Sequence, residues 1–459
     1  MPVTTGSRGE RRGRGGSDKR CAFPFPEGIR IGFRNRRGSI RGWSRLRTSD
    51  QIGRRRMTPL RVLILALLLL PLTASTPGTD ERGTVTPPSA APPLAAVPPP
   101  APVSTATGGQ APGTGGAAAA DLAWARAFVA RQYVVDGTAS SLSRVDPHCR
   151  TGCELRVYPG TGPGDFGTLK AVSGIDLGVF SMSGFGLEGM TRFRKQTTDG
   201  TIANARVVLT YDDIEIAHEN GEYAYIFYVQ SRVAPQWQLD GELANLGRWY
   251  AEGLRVLQLR YGHKEGHEPD ERLAHGSYEG DDRGLTELGR RAVAEMNRLG
   301  MIVDVSHLSR QSTLDAAALS TKPVLASHAN AEALTPQPRT KDDDELRAIA
   351  ATGGVIGITP IGWMLDRDGD GKAGMEDMVA HIEYVADLVG IDHVGVATDA
   401  ALDGWDPDSR HYADAGLAAF DRWVRVTAEL HARGWSDEDL TKLLGGNFLR
   451  VFREVLTGD

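Results

Sequence analysis

Cysteine is nearly absent, with three in 459 residues at positions 21, 149 and 153. His148-Cys149 and Cys153 lack the second pair of ligands that a zinc module needs. The two thiols are therefore expected to form a local disulfide or to stay free. A basic balance is missing too. The formal charge is −6 although the first 56 residues are Arg-rich, so the remainder is acidic, which argues against nucleic acid as a partner. The apolar run Val62–Leu70 falls short of the ~20 residues that cross a bilayer. No Gly-rich phosphate turn follows any strand-like run, which counts against a doubly wound nucleotide-binding sheet.

The N-terminal third reads as addressing and tether. Arg54-Arg-Arg-Met57, the run Val62–Leu70, then Pro71 and small residues through Ser75 follow the order of a secretory signal peptide. Residues 57–74 are expected to be that signal, with 1–56 a non-native extension that includes Cys21; a basic nucleic-acid-binding arm is the alternative. No Cys follows the apolar core, so a bacterial lipid-anchor site is absent. Residues 75–120, rich in Pro, Ala, Thr and Gly, cannot bury a core and read as a linker. The folded module is expected over 121–459. The protein is expected to be exported, periplasmic or secreted, with membrane contact only through an uncleaved signal segment.

In the module, two apolar runs end in Ser-His: Met301-Ile-Val-Asp-Val-Ser-His307 and Pro323-Val-Leu-Ala-Ser-His328, with a helix-like stretch, Arg310–Thr321, between them. Tyr133–Gly137, Gly174–Phe180, Tyr223–Val229, Arg255–Leu259, Gly354–Thr359 and His393–Asp399 supply further strands. Gly241–Glu252, Leu285–Leu299 and Met375–Val389 supply helices. This alternation predicts one α/β domain, a (β/α)8 TIM-type barrel, with an open doubly wound sheet as the alternative. A barrel gathers its chemistry at the carboxyl ends of its strands, so His307 and His328 can converge as neutral imidazoles on zinc. The bland reading is that each His caps its strand.

At these residues the chain resembles the membrane dipeptidase (renal dipeptidase) family of zinc peptidases. The resemblance rests on Asn297–His307, Lys322–His328, Arg339 eleven positions later, Gly390–Asp399 and the tail Gly434-Trp-Ser…Gly446–Phe452, and extends from about Trp124 to Phe452. It implies a (β/α)8 barrel with a two-zinc site that cleaves dipeptides, some with a D-residue at the C-terminal position. It also implies that His307 and His328 bind one zinc, that Arg339 holds the substrate carboxylate, and that Asp399 is the active-site aspartate. Against the family's first-strand Asp-Gly-His-Asn-Asp stands Asp136-Gly-Thr-Ala-Ser140, so Thr138 and Ser140 replace both ligands of the other metal. At the bridging Glu stands Gln230 when matched from the strand side, or Ala234 when counted from the next helix. Tyr261, with His263 two positions on, occupies the place of a substrate-contacting His.

Two dications need an anionic bridge, which Gln, Thr and Ser do not provide. One zinc at most is therefore expected, on His307, His328 and Asp399, with a small peptide as substrate. The alternative is a catalytically silent pseudoenzyme that binds peptide or carboxylate ligands; an oligomer is compatible with either. Asp366-Arg-Asp-Gly-Asp-Gly-Lys372…Asp377 follows an EF-hand-type calcium loop, with Asp366, Asp368 and Asp370 as carboxylates, the Lys372 carbonyl, and Asp377 last. Ca²⁺ there would stiffen the loop locally; the alternative is a solvated acidic turn. His263, His267 and Glu268 are expected at a charged rim, and His381 and Glu383 on a surface helix face.

Overall fold

The computed structural model describes residues 119–141, 166–182, 186–230, 243–261, 273–278, 282–401, 417 and 421–456. All of them lie in the second of two compact units, Leu94–Asp459. The signal segment, the linker, Cys21, Cys149, Cys153, Ala234, His263, His267 and Glu268 lie outside the described residues.

The strands, in chain order, are β1 (Val135–Ser141), β2 (Leu177–Ser181), β3 (Ala205–Val207), β4 (Tyr223–Gln230), β5 (Leu254–Gln258), β6 (Ile302–Asp304), β7 (Leu325–Ala329), β8 (Val355–Ile358), β9 (Val394–Val396) and β10 (Ala400–Ala401). Every pairing is parallel, in the order β10-β1-β2-β4-β5-β6-β7-β8-β9, with β3 beside the start of β4. β9 and β10 follow one another in the chain, the first pairing with β8 and the second with β1. They thus act as one broken strand that closes an eight-membered parallel barrel. Closure leaves the barrel without an exposed edge.

The apolar residues divide between two cores. One lies between the barrel's outer face and its helices. The other contains Val135, Leu177, Ile302, Leu325 and Val355, each the first residue of its strand, packed with Phe448, Val451, Phe452 and Val455 of the C-terminal helix Asn447–Val455. That helix stoppers the amino-terminal end of the barrel. Gly395 is required beneath it, since a Cβ there would stand 2.4 Å from the Phe448 ring. Phe448→Ala would cost about 3–5 kcal/mol.

Polar residues begin where this apolar plug ends. Gln230, Gln258 and Asp304 are register partners across β4, β5 and β6, so three hydrophilic side chains meet at one level near the strands' carboxyl ends. The helix Met375–Val389 corrects one expectation. His381 is fully buried, accepting from the Ala331 amide at 3.1 Å and meeting Thr335 Oγ1 at 3.2 Å. It shares a face with Met378, Ile382 and Val385, at helical spacing, and burial presses its pKa down to about 4. Glu383 is half-buried against Arg433 at 3.4 Å.

Candidate active site

β6 and β7 bring the two predicted histidines together. His307 Nε2 and His328 Nε2 are 2.9 Å apart, with both side chains buried. Burial holds both imidazoles well below their usual pKa, and the nearby Arg339 charge adds to the effect. They are therefore neutral, the form a zinc ligand needs.

Asp304 organises the pair, a role the sequence reading missed. Its Oδ1 accepts from the Ser306 amide (3.1 Å), Ser306 Oγ (2.7 Å) and the Ser327 amide (3.0 Å). Its Oδ2 accepts from Ser327 Oγ at 2.9 Å and from the Tyr228 hydroxyl. Ser306 Oγ in turn accepts from the His328 amide at 3.1 Å. One carboxylate thus links β4, β6 and β7. The sequence did carry a signal, because Asp304 is a charged residue inside the buried run Ile302-Val-Asp-Val305, which needs partners.

Arg339 is 2% exposed, donating to the Ser306 carbonyl and to the His328 carbonyl at 3.4 Å. It sits across the ends of both histidine strands. Its loop is held by buried Lys341, which donates to the Leu308 carbonyl (2.9 Å), Thr313 Oγ1 (2.8 Å) and Glu345 Oε1 (2.9 Å). Tyr261 lies against His307 with ring centroids 4.3 Å apart. Half-buried Tyr278 faces the same side, its hydroxyl pKa raised by burial and drawn back by the Arg339 charge.

Asp399 follows β9 with φ +50, a left-handed backbone that few L-residues adopt. Its amide donates to the Thr138 carbonyl at 2.8 Å, and Asp136 accepts from the Thr398 amide at 2.9 Å, so barrel closure fixes this turn. Asp399 Oδ2 is 4.0 Å from His328 Nε2 and its side chain is 26% exposed. Its pKa is raised to about 7 by burial, against the Arg339 charge and with Asp136 and Asp304 adding to the rise. The remaining exposure marks a carboxyl in a recess rather than in dry core.

Thr138 stands behind the histidines. Its Oγ1 meets His328 Nδ1 at 3.1 Å, on the far side of the ring from His307. Gln230 ends β4, and its side chain bonds toward the Tyr228 hydroxyl. Ser140 is in β1. The zinc bond of about 2.0–2.1 Å implies ligand atoms roughly 3.3 Å apart in a tetrahedron. The imidazole pair, at 2.9 Å, is somewhat closer than this, and Asp399 stands one step back, outside a 4.8 Å cluster with both. The donors fit one zinc; among the described residues, no carboxylate bridge or second ligand set exists for another.

Elsewhere Asp366, Asp368 and Asp370 bring one carboxylate oxygen each within 4.8 Å of the others. Asp377 does not join them, because it accepts from Arg367 Nε at 2.7 Å and the Gly374 amide at 2.9 Å. Lys372 ties its amide and ammonium to Asp370 at 2.8 and 3.3 Å. The turn has three oxygens for calcium and lacks its twelfth-position acid.

The sequence model of the membrane dipeptidase family (peptidase family M19) matches residues 186–458, more than half of the chain. A dipeptidase of Claviceps purpurea, tcpJ, is 38% identical over 172 residues, which cover 38% of this chain and 39% of that protein. The chain thus spans about two fifths of that relative. An uncharacterized protein in the pqqA 5′ region of Klebsiella pneumoniae is 32% identical over 272 residues, 57% of this chain and 93% of the other. Among solved structures, a metallo peptidase of Rhodobacter sphaeroides, liganded with a phosphinate mimic of L-Ala-D-Ala, superposes with a TM-score of 0.55. It is 24% identical, over 71% of this chain and 99% of the other.

Proposed function

Since the chain belongs to the membrane dipeptidase family of metallopeptidases, we propose that it is an exported hydrolase of dipeptides that works with at most one zinc. The observation that carries this reading is the convergence of two neutral, buried imidazoles beside a buried arginine and a recessed carboxyl at one end of the barrel. Bound there, zinc would polarise a carbonyl and lower the pKa of a water. His307 and His328 would hold it, with Asp399 one step back. The Arg339 guanidinium has five N–H donors, and those not spent on the Ser306 and His328 carbonyls are available to a substrate carboxylate. Tyr261, its ring tilted against His307 with centroids 4.3 Å apart, flanks that imidazole. Standing clear of the metal, Asp399 has a pKa raised by burial to about 7 and can take and return a proton. The dipeptide mimic on the Rhodobacter neighbour supports a dipeptide as the substrate class.

A second reading follows from Thr138 and Gln230, neutral side chains on β1 and β4 that the resemblance sets against the ligands of a second metal. The chain would then bind a carboxylate ligand at Arg339 without turnover. Binding and hydrolysis of a dipeptide panel with added zinc separate the two. The hydrolase shows turnover that His328→Ala removes, whereas the binder shows affinity that survives His328→Ala and falls in Arg339→Lys. Neither binding nor turnover would refute both. Export is supported by Arg54–Ser75; expressed in a bacterium, the chain should be cleaved near Ala74, and an intact cytoplasmic N-terminus would contradict it.

A further inference from the structure

The hydroxyl protons around His328 can be assigned one by one. Ser327 Oγ lies 2.9 Å from Asp304 Oδ2 and 2.9 Å from His328 Nδ1. A hydroxyl has one proton, and a carboxylate is the stronger acceptor, so that proton goes to Asp304. Thr138 Oγ1 lies 2.7 Å from the Gly137 carbonyl and 3.1 Å from His328 Nδ1. It also lies 2.9 Å from Ser327 Oγ as a donor, so its proton goes to one of these two nearer oxygens. Among the described residues both hydroxyls beside Nδ1 are thus committed as donors elsewhere, and both offer it lone pairs. Nδ1 must itself carry a proton.

We propose that Asp304, acting through Ser327, is a positioning residue that fixes His328 as the Nδ1–H tautomer and presents its Nε2 lone pair to the pocket. The surroundings of His307 agree. Its Nδ1 is buried with no hydrogen-bond partner among the described residues, so its proton sits on Nε2 and is donated to His328 Nε2 across 2.9 Å. Of the two histidines, only His328 is held in the ligating tautomer by its neighbours. The inference rests on the zinc reading only in what the lone pair is for; the tautomer itself is a property of the metal-free chain.

The test uses the full chain, metal-free and labelled with ¹⁵N-histidine. Long-range proton–nitrogen correlations, with His328→Gln giving the assignment, should show the His328 proton on Nδ1. Asp304→Asn keeps the shape and removes the charge. It should release the Ser327 proton toward His328, move the ring proton to Nε2, and weaken zinc binding in a chelator competition by about 10–100-fold. Ser327→Ala combined with Thr138→Val, which serves also where Asp304→Asn does not fold, removes both acceptors and should act in the same direction. Ser327→Thr keeps the hydroxyl and should preserve the tautomer. A wild-type proton on Nε2, or weaker zinc binding with no change of tautomer in either variant, would overturn the proposal. A chain with the expected tautomer that hydrolyses no dipeptide would refute the proposed activity and leave this inference standing.

Discussion

The two sides of the barrel mouth are built from different chemistry. On β6 and β7, two imidazoles converge over a carboxylate with five donors, and buried Arg339 spans both strand ends. On β1 and β4, Thr138 and Gln230 turn to His328 and to Tyr228. The first side carries imidazoles with the hydrogen bonds that orient them; on the second, the neutral Thr138 hydroxyl reaches the back of His328, 3.1 Å from its Nδ1.

The largest expected effect breaks the β6–β7 side. His328→Ala should reduce dipeptide hydrolysis to background and release bound zinc, measured by turnover and metal analysis; retained turnover would place the reaction elsewhere. Rebuilding the other side is the converse. Thr138→His with Ser140→Asp and Gln230→Glu should raise zinc content toward two per chain, because it restores imidazole and carboxylate donors with an anionic bridge. If the content does not rise, the two sides differ in more than their ligands.

Asp136 tests the β1 side through stability. It is fully buried and its pKa is raised to about 6, first by burial. A carboxyl raised on folding favours the folded chain in its protonated form. Its contribution is fully present below the unfolded value near 4 and lost as pH rises through about 6. The difference spans about two pH units, or about 3 kcal/mol. Denaturant unfolding of wild type and Asp136→Asn should show the variant gaining relative stability by about that amount from pH 4 to 7. A pH-independent difference would mean that Asp136 stays ionised. Arg339→Lys replaces a fork with a point charge and should weaken dipeptide binding by about 1.5–3 kcal/mol, roughly 10–100-fold. Equal affinity would remove Arg339 from the pocket.

The barrel strands were legible because most are short buried apolar runs, β1 only through Val134-Val135 at its start, and the helix Met375–Val389 was legible from its periodicity. β3 was not, since three residues, Ala-Arg-Val, show no period, and the helices Phe166–Ser173 and Gly186–Thr198 were not, since their Gly and Thr residues carry weak propensity. His307, His328 and Arg339 were readable as a site because they sit at strand ends and after them. Asp304 and Tyr228 were not, because their importance lies in partners from other strands. His381 was misplaced although Met378, Ile382 and Val385 gave its face away.

We propose that this mouth holds metal on one side only. Zinc per chain, measured on protein purified with zinc and freed of loosely held metal, tests it most directly. The account predicts about one, since one set of ligands remains. Two tightly held ions per chain would contradict it, and none would contradict the hydrolase reading built upon it.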